Sequence, residues 1–470
     1  MILIPDVKNK NFGVFGLGVS GIATCEALVA SGANVFSFDE NSKARKKTEN
    51  TEYRCEHPKA WPWKEMEAVV VSPGVPLTYP KPHTIVRKAK LEKIPVIGDT
   101  ELFARAINVL PEGARPRVIG VTGSNGKSTT AMLIGHVLKE AGEDVRVGGN
   151  IGEAALSMPA LEKQKIYVLE LSSFQLDLTH SLRLNAAVFL NLTPDHIDRH
   201  GDVDNYFAAK KRIFLNQQAG DAAIVGVDDD YGEALCTELI AHDVADVIPV
   251  SARGTLGRGV YALGGQLFHN FDDKTSLAGE LENLRSLRGA HNHQNAAAAA
   301  AVCARFGVSP SLCLKAAERF ENLPHRMEEV ARAGKVVFIN DSKATNADAA
   351  ARALNTYEDI FWIAGGKPKQ DGLAALRNQL SRVRSVYLIG EAAGQFEEEL
   401  RGAVHCVLCG DLASAVAKAS EDAAKSDAAA PVVLLSPACA SFDQYRNFEE
   451  RGDAFRALVS EIPIANGEAA

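Results

Sequence analysis

The chain has 470 residues, of which 46% are hydrophobic and 23% are charged, and its formal net charge is -8. This length is enough for about three domains, each with its own core. The acidic balance argues against a general nucleic-acid or membrane-surface binder, although it allows a local basic pocket for an anionic substrate. No apolar run reaches the roughly 18 residues of a membrane span, and the start of the chain is too short in apolar residues for a signal peptide. We therefore expect a cytoplasmic protein with no membrane insertion.

The cysteines do not suggest a disulfide framework. All eight are spread through predicted strands and helices, which indicates reduced, buried thiols. Cys406 and Cys409 form a CxxC pair in an alternating apolar run at 404–408, with no second pair to complete a zinc site. We interpret this run as a strand rather than a metal site.

Residues 1–105 are predicted to form a first domain of alternating strands and helices. A strand at 12–15 precedes glycines at 16, 18 and 21, a helix to about residue 31, and a strand at 34–38. This spacing matches the Gly-x-Gly-x-x-Gly fingerprint, and Asp39 ends the second strand where an acid can meet a ribose hydroxyl. Taken alone, it favours NAD. The same glycines, however, serve any Rossmann-like domain that binds a diphosphate at a helix N-terminus.

The first domain is expected to end in a linker. A strand at 67–71 leads into Ser72, at the sheet edge where ligands of open α/β domains bind. The segment 41–63 is polar and gives no assignable periodicity. Residues 92–116 carry prolines and glycines at 95, 98, 111, 113 and 116, so we predict that they connect the first domain to the second.

The second domain, residues 106–322, opens with a predicted phosphate-binding loop. A strand at 118–121 and a helix at 127–141 flank a run of glycines and small polar residues with one lysine: Gly123, Ser124, Asn125, Gly126, Lys127, Ser128 and Thr129. The glycines let backbone N–H groups turn toward a phosphate, Lys127 adds a charge, and Ser128 offers a hydroxyl to magnesium. The strict Walker spacing needs a glycine where this chain has Val121. The loop is therefore a variant of the P-loop.

Further polar groups follow the next predicted strands. Residues 148–152 contain three glycines and are predicted to form a turn. A strand at 166–169 delivers Glu170, a natural magnesium ligand beside a phosphate loop. A strand at 187–191 leads into acids and imidazoles, with a lysine one helix later: Asp195, His196, Asp198, His200 and Lys210. Because these groups leave the same edge of the sheet, they predict a second cation site.

The rest of the chain predicts irregular β segments and a third domain. The irregular segments lie at 222–227 and 259–271, and residues 289–295 form a polar cap before a helix at 296–306. The third domain, residues 323–470, alternates helices with strands at 336–339, 360–364, 385–389, 403–408 and 432–435. Its polar strand ends, at 340–346, 365–369 and 436–448, predict a binding face. We expect an α/β protein of three domains, each with a mainly parallel sheet flanked by helices: Rossmann-like, then P-loop ATPase-like, then Rossmann-like.

Together these motifs resemble the Mur ligase family over nearly the whole chain. The resemblance rests on seven ordered segments, 122–128, 149–152, 170–175, 195–196, 289–295, 324–326 and 341–346. Segments 172–175, 341–346 and 436–441 are most like members that use D-glutamate. The resemblance implies a monomeric ATP-dependent ligase that joins D-glutamate to UDP-N-acetylmuramoyl-L-alanine through an acyl phosphate, in peptidoglycan precursor synthesis. The glycine loop at 16–21 would then hold the UDP diphosphate, with no nucleic-acid partner.

The resemblance also implies individual roles. Catalysis would depend on Lys127, Glu170, His196 and a carbamylated Lys210. Two magnesium ions would be held by Ser128, Glu170, His196 and Lys210. ATP would contact Gly123, Asn125, Gly126, Lys127, Ser128, Thr129, Asn295, Arg326 and Asp341. The nucleotide substrate would contact Gly18, Ser72, Asn150 and His196, and D-glutamate would contact Lys343, Thr345, Lys369, Ser441 and Phe448.

Some of these assignments involve a choice between neighbours. Lys210 is preferred to Lys211, and Lys369 to Lys367, by the spacing of the motifs. Where the family carries Thr-Arg after the acid at 39, this chain has Glu40 and Asn41, which leaves the uridine contacts open.

Three alternatives remain at this stage. One is a sister ligase, or a folylpolyglutamate-type ligase, with a different amino acid. The second is an NAD-dependent oxidoreductase, which the glycines at 16–21 favour but which leaves Glu170 unexplained. The third is an ATP-driven switch protein without ligase activity. An amino-acid screen, nicotinamide binding and ATPase activity without a second substrate would distinguish them.

Overall fold

The computed structural model describes residues 1–48, 51–243, 245–271, 274–282, 284–321, 324–368 and 372–462. It contains three sheets flanked by helices, and most of the strand pairs are parallel. This confirms the predicted fold class. The chain separates into two compact units, one formed by 1–283 with 292–319 and the other by 284–291 with 320–470. The division into domains at 1–105, 106–322 and 323–470 stays a prediction.

The first sheet of the larger unit has five parallel strands in the order β3-β2-β1-β4-β5. The strands are β1 (Asn11–Phe15), β2 (Asn34–Phe38), β3 (Arg54–Cys55), β4 (Met66–Val71) and β5 (Val96–Ile97), and the helices are α1 (Val19–Ala30), α2 (Ser42–Lys46), α3 (Thr84–Leu91) and α4 (Asp99–Asn108). Alternate residues of β1 face opposite sides, so Phe12 packs in the cluster with Leu28, whereas Phe15 packs in the one with Trp61. Both faces are covered, which explains the nearly continuous apolar strands.

The predicted linker at 92–116 is wrong, because β5 and α4 lie within it. Pro95 and Gly98 only bracket the short strand β5, and α4 buries Leu102 and Phe103 completely. Polar contacts then fix the helix, since the Glu101 carboxylate accepts hydrogen bonds from the backbone N–H groups of His180 and Ser181 at 2.7 and 2.9 Å. The segment is therefore part of the folded unit rather than a connector.

The second sheet has nine strands in the order β14-β13-β12-β11-β10-β9-β6-β8-β7. The strands are β6 (Arg117–Thr122), β7 (Asp144–Gly149), β8 (Lys165–Glu170), β9 (Ala186–Phe189), β10 (Ala222–Gly226), β11 (Asp246–Ser251), β12 (Gly259–Leu263), β13 (Gln266–Asn270) and β14 (Ser276–Glu280). The helices are α5 (Lys127–Glu140), α6 (Ser173–Asp177), α7 (Ile197–His200), α8 (Val203–Lys211), α9 (Asp230–His242), α10 (Ala290–Arg305) and α11 (Pro310–Ala317). The strands from β7 to β12 are parallel, and β12, β13 and β14 form an antiparallel extension.

Three predictions for this region need correction. Residues 148 and 149 do not belong to a turn, because they end the strand β7 beside β8. Their backbone approaches so closely that a Cβ on Gly149 would lie 2.5 Å from the carbonyl oxygen of Glu170. The segments at 222–227 and 259–271 are regular strands, and the alanine-rich helix starts at Ala290 rather than at 296. Polar residues 291–295 therefore lie inside the helix and not before it.

The third sheet belongs to the smaller unit and has the order β15-β16-β20-β17-β18-β19. Its strands are β15 (Glu328–Ala333), β16 (Val336–Asn340), β17 (Ile360–Gly365), β18 (Val383–Ile389), β19 (Cys406–Gly410) and β20 (Val432–Leu435), and its helices are α12 (Ala347–Leu354), α13 (Ala393–Leu400), α14 (Leu412–Lys425) and α15 (Phe448–Ser460). Only β15 runs antiparallel to its neighbour. Three of its six residues are charged and do not alternate with the apolar ones, which explains why this edge strand was not predicted.

The eight cysteines of the chain form no disulfide bonds. The CxxC pair lies on β19, which confirms the predicted strand. All eight thiols are free, and five of them are buried, but Cys55 is exposed and Cys406 and Cys409 are only half-buried, so the expectation of buried thiols is wrong for these three. Among the described residues, no helix is both long enough and apolar enough to cross a membrane.

Candidate active site

The phosphate loop joins β6 to α5 as predicted. Gly123 and Gly126 have φ of 152° and 83°, a region that L side chains rarely adopt. Lys127 bends back over the loop, and its Nζ donates to the carbonyl oxygens of Gly123 and Ser124 at 2.9 and 2.8 Å. Ser128 and Thr129 follow in the first turn of α5 and are buried. The positive end of a long helix and a lysine thus lie at one small loop, which is an arrangement suited to phosphate.

Three predicted residues meet at the end of β8. The Glu170 carboxylate accepts from the Ser128 hydroxyl at 2.5 Å through Oε2 and from the Asn150 amide at 2.8 Å through Oε1. Carboxylate and hydroxyl oxygens are hard ligands of the kind that Mg²⁺ prefers. Ser128 and Glu170 therefore fit a magnesium ion. In the part of the chain that the structure describes, no three His, Cys, Asp or Glu side chains form a metal-binding group.

Lys210 lies in the interior beside this loop. Its side chain is 1% exposed, and its Nζ donates to the carbonyl oxygen of Gly123 at 2.7 Å. Burial, helped by the nearby positive charge of Lys127, lowers the pKa of Lys210 well below its ordinary value. Lys211 instead points outward to an ion pair with Glu238. The structure thus places Lys210 at the loop and Lys211 away from it, and the role of Lys210 stays a prediction.

The segment after β9 places two histidines in different environments. His196 has φ of 55° and a half-exposed ring, which packs edge-on against Phe174 with centroids 5.0 Å apart. Its Nε2 lies 3.6 Å from the Asp195 carboxylate. His200 is buried next to Ser173 at 3.0 Å, and burial lowers its pKa to about 4. His196 can therefore meet a ligand, whereas His200 serves as a neutral packing residue.

The glycine loop after β1 is held by two side chains. Ser72 donates to the carbonyl oxygen of Gly16 at 3.1 Å, and the Asp39 carboxylate accepts from the backbone N–H groups of Leu17 and Asn41 at 2.6 and 2.7 Å. A Cβ on Gly18 would meet no atom within 4 Å, so this position is open to a ligand. In this structure the Asp39 carboxylate therefore stabilises the conformation of the glycine loop.

A contact that the sequence did not predict surrounds the two departures at 40 and 41. Arg45 donates from Nη1 to the carbonyl oxygens of Asp39 and Glu40 at 2.7 and 2.9 Å, and its guanidinium lies 5.1 Å from the centre of the Phe38 ring. Glu40 itself pairs with His83 at 3.1 Å. The loop after β2 is therefore shaped by an arginine four residues beyond Asn41, a separation that no short motif reveals.

In the smaller unit, predicted residues gather where β16 and β20 end. The buried Asp341 accepts from the Ser436 hydroxyl at 2.8 Å and from the backbone N–H of Met327 at 3.2 Å. Burial raises the pKa of Asp341 to about 7. The Lys343 ammonium lies 4.1 Å from the centre of the Phe448 ring. These contacts bring the two predicted loops of this unit together.

The remaining predicted residues of this unit differ in what can be said of them. Thr345 donates its backbone N–H to the carbonyl oxygen of Lys343 at 2.8 Å, and Ser441 is buried. Arg326 is half-buried, and its charge only partly offsets the rise that burial causes in the pKa of Asp341. Lys369 lies outside the described residues. Lys367 pairs through its backbone with Ala440.

Sequence reasoning missed the arginine that joins these loops. Arg451, on α15, is 1% exposed and donates to the Ser342 hydroxyl at 3.0 Å and to the carbonyl oxygens of Ser342 and Cys439 at 2.8 and 3.1 Å. The available signal was a cation on the otherwise apolar face of the last helix, shared with Phe455 and Val459. A buried charge in that position needs partners, and it finds them in both loops.

Comparisons with known proteins agree along the chain. Residues 121–303 match the model of the Mur ligase middle domain, and residues 325–439 match that of the Mur ligase, glutamate ligase domain. The UDP-N-acetylmuramoylalanine--D-glutamate ligase of Caulobacter vibrioides is 48% identical over 470 residues, which is all of both chains. The enzyme of the same name from Brucella abortus is 45% identical over 464 residues, 98% of each chain.

Solved structures share the fold at much lower identity. MurF from Acinetobacter baumannii is 17% identical with a TM-score of 0.60, over 98% of this chain and 93% of that one. MurF from Thermotoga maritima, solved in complex with ADP, is 16% identical with a TM-score of 0.58, over 98% of each chain.

Proposed function

The chain belongs to the Mur ligase family, and from this premise we propose that it is the member that joins D-glutamate to UDP-N-acetylmuramoyl-L-alanine at the expense of ATP. The observation that carries the proposal is identity of 44 to 49% to D-glutamate ligases over at least 97% of both chains. The glycine loops at 16–21 and 123–126, Glu170 and Asp341 lie at the carboxyl ends of parallel strands, where ligands of open α/β sheets bind.

The reaction proceeds in two steps. The carboxylate of the alanyl group attacks the γ-phosphorus of ATP, which breaks the bond to ADP and forms an acyl phosphate. The amine of D-glutamate then attacks the acyl carbon, loses a proton and expels phosphate, which leaves an amide. Activation is needed because a carboxylate has no adequate leaving group in water, whereas phosphate is one.

The phosphate loop supplies the first requirement, the approach of two anions. Lys127 would turn from the carbonyl oxygens of Gly123 and Ser124 to the phosphates of ATP, and the start of α5 adds its positive end. When bound, magnesium supplies positive charge to the phosphoryl group. Ser128 and Glu170 would hold the first ion, while His196 and a carbamylated Lys210 would hold a second. The Asn150 amide donates to the Glu170 carboxylate. In the complex it would release that carboxylate and contact the nucleotide substrate.

Lys210 has the properties that carbamylation requires. An uncharged amine adds to carbon dioxide, forming an N–C bond and releasing one proton, whereas an ammonium cannot. The lowered pKa of Lys210 favours this reactive form. The product is an anion, which removes the cost of keeping a lysine next to Lys127 and provides oxygen ligands for a cation.

The remaining assignments follow the family. Gly18, Ser72, Asn150 and His196 would contact the nucleotide substrate, and the glycines at 16–21 its diphosphate. ATP would contact Gly123, Asn125, Gly126, Lys127, Ser128, Thr129, Asn295, Arg326 and Asp341. D-glutamate would contact Lys343, Thr345, Lys369, Ser441 and Phe448. The protein would act as a cytoplasmic monomer in peptidoglycan synthesis, on which cell shape and cell division depend.

The decisive assay measures phosphate release from ATP with UDP-N-acetylmuramoyl-L-alanine and a panel of L- and D-amino acids. Release that requires both the nucleotide and D-glutamate supports the proposal. Release with another amino acid would reassign the protein to a sister ligase, and release without any amino acid would favour a switch protein. Family membership leaves the nicotinamide hypothesis without support, because the glycines at 16–21 are then explained by the UDP diphosphate.

A further inference from the structure

Two buried amides and one half-buried carboxylate, those of Asn191, Gln294 and Asp228, form a hydrogen-bonded chain behind the phosphate loop. Asn191, after β9, accepts from the backbone N–H of Asn125 at 3.0 Å and donates to its carbonyl oxygen at 3.3 Å. The same amide nitrogen of Asn191 donates to Oε1 of Gln294 at 3.3 Å. Gln294, on α10, donates in turn to Oδ2 of Asp228 at 2.9 Å. The loop is thus connected to residues that are 66 and 169 positions further along the chain.

The chemistry of the last member gives this chain a fixed direction. An ionised carboxylate only accepts hydrogen bonds, so Asp228 holds the NH₂ group of Gln294 toward itself. The carbonyl oxygen of Gln294 must then face Asn191, which turns the NH₂ group of Asn191 toward Gln294. The oxygen of Asn191 is left for the N–H of Asn125. Each amide could flip in isolation, but the carboxylate at one end and the loop N–H at the other exclude the reverse order.

Asp228 is itself held in place. Its Oδ1 accepts from the Ser251 hydroxyl at 2.6 Å, and its Oδ2 also accepts from the backbone N–H of Ala252 at 2.9 Å. The Gln294 side chain packs closely against the backbone of Gly226. A Cβ on Gly226 would lie 3.0 Å from the amide nitrogen of Gln294 and 2.0 Å from the carbonyl oxygen of Leu190. Asn191 and Gln294 are 7% and 5% exposed, so water competes little for their hydrogen bonds.

The hydrogen bonds of Asn191 hold the backbone of the phosphate loop. The N–H of Asn125 is held by Asn191, and the backbone N–H of Ser124 is held by the carbonyl oxygen of Asn191 at 2.9 Å. Both hydrogen bonds fix the loop on one side, at the start of a helix whose N-terminus suits a phosphate. The residue next to Gln294 also touches the loop, since a Cβ on Gly126 would lie 2.3 Å from Oδ1 of Asn295.

We propose that Asp228, Gln294 and Asn191 are positioning residues that set the shape of the phosphate loop for ATP, with Asp228 fixing the orientation of the two amides. The proposal rests on the proposed function for its substrate, but it concerns the affinity for nucleotide and not the identity of the amino acid. None of the three side chains need touch ATP. They act through the backbone of Asn125.

The test uses the full-length protein and three variants. Gln294→Met keeps the size of the side chain and removes its hydrogen bonds, while Asp228→Ala removes the fixed acceptor. Both are expected to raise the KM for ATP roughly tenfold or more, because buried donors and acceptors lose their partners. The KM for the UDP substrate and the kcat should change less than about threefold. Asp228→Asn should stay within about threefold of wild type in every constant, since its amide oxygen can accept the same two N–H groups.

Two further measurements separate positioning from a general loss of stability. Hydrogen exchange of the segment 122–128, followed by mass spectrometry, should accelerate in Gln294→Met, and should be unchanged in the control Asp230→Ala, a neighbouring exposed carboxylate on α9. The double variant Asp228→Ala with Gln294→Met should be no worse for the KM of ATP than the poorer single variant, because both break the same chain.

Several results would overturn the proposal. A wild-type KM for ATP in Gln294→Met would do so, as would effects of Asp228→Ala and Gln294→Met that multiply in the double variant. Unchanged exchange of 122–128 in Gln294→Met would also exclude it. If the wild-type protein lacked ligase activity, the proposed function would fail instead. The positioning role of Asp228, Gln294 and Asn191 would still be tested by the affinity for ADP in titration calorimetry.

Discussion

Replacing Lys210 by methionine is expected to separate stability from activity. Burial lowers the pKa of Lys210 well below its ordinary value, so the unfolded chain binds a proton that the folded protein does not hold above the folded pKa. The buried amine therefore lowers the free energy of unfolding. This destabilisation is present in full below the folded pKa and disappears as the pH rises toward the unfolded pKa of about 10.4. Between the two values, the group makes the free energy of unfolding rise by up to about 1.4 kcal/mol per pH unit.

Methionine has no such proton. The variant loses the hydrogen bond from Nζ to the carbonyl oxygen of Gly123, which is 2.7 Å long and contributes about 1 kcal/mol. It avoids the cost of burying a lysine amine. At neutral pH this cost exceeds the contribution of the lost hydrogen bond, because the pKa of Lys210 is lowered strongly. We therefore expect Lys210→Met to be more stable than wild type at pH 7 in buffer free of carbon dioxide, and the difference to shrink as the pH rises.

Activity should move in the opposite direction. If a carbamate on Lys210 holds the second magnesium ion, its loss removes a positive charge at the reacting phosphate, and removal of one such electrostatic group typically lowers kcat by about 10² to 10³. Short carboxylates such as formate and acetate should partly restore the turnover of Lys210→Ala, because they replace the carbamate in the space that the side chain left. After incubation with ¹³C-bicarbonate, wild type should show a carbamate carbon signal that Lys210→Ala lacks.

The control is Lys211→Met. That side chain is 37% exposed and pairs with Glu238, and surface ion pairs contribute at most about 1 kcal/mol. Urea unfolding at pH 7, 8 and 9 measures the stability, and phosphate release measures the activity. Parallel stability curves for wild type and Lys210→Met across this range would refute the reasoning, because the amine would then be charged in the folded protein. Failure of every carboxylate to rescue a folded Lys210→Ala would count against the carbamate.

Three other predictions test the loops. Lys127→Ala should abolish ATP-dependent turnover while the UDP substrate still binds in titration calorimetry; turnover close to wild type would contradict the assignment of the phosphate loop. Gly126→Ala should raise the KM for ATP roughly tenfold or more and lower the Tm, because φ is 83° and the new Cβ would lie 2.3 Å from Oδ1 of Asn295. The control is Gly18→Ala, where φ is -74° and no atom lies within 4 Å of the new Cβ. This control should keep the Tm and change only the KM for the UDP substrate. Because the pKa of Asp341 is raised to about 7 from 3.8, the folded state holds the extra proton and stability falls as the pH rises between these values. Asp341→Asn should remove up to about 4 kcal/mol of that fall between pH 4 and 8, and an unchanged slope in urea unfolding would exclude the perturbed carboxyl.

The sequence by itself determined the features that depend on neighbouring residues. Gly123, Gly126 and the helix that starts at Lys127 were predictable, because the sign of φ and the orientation of the first N–H groups are set within one turn of chain. Glu170 and Asp341 were predictable for a related reason. Glu170 is the last residue of β8 and Asp341 directly follows β16, and the carboxyl ends of parallel strands meet at one edge of a sheet.

The tertiary structure decided which side chains face one another across long separations. The choice between Lys210 and Lys211 depends on which side of α8 the second sheet covers, and the contact of Arg451 with both loops of the smaller unit depends on where α15 packs. The chain from Asp228 through Gln294 to Asn191 joins three segments that no local pattern relates. Such hydrogen bonds form only after apolar surfaces have brought distant segments together and excluded water, which is a property of the packed core and not of any short stretch of sequence.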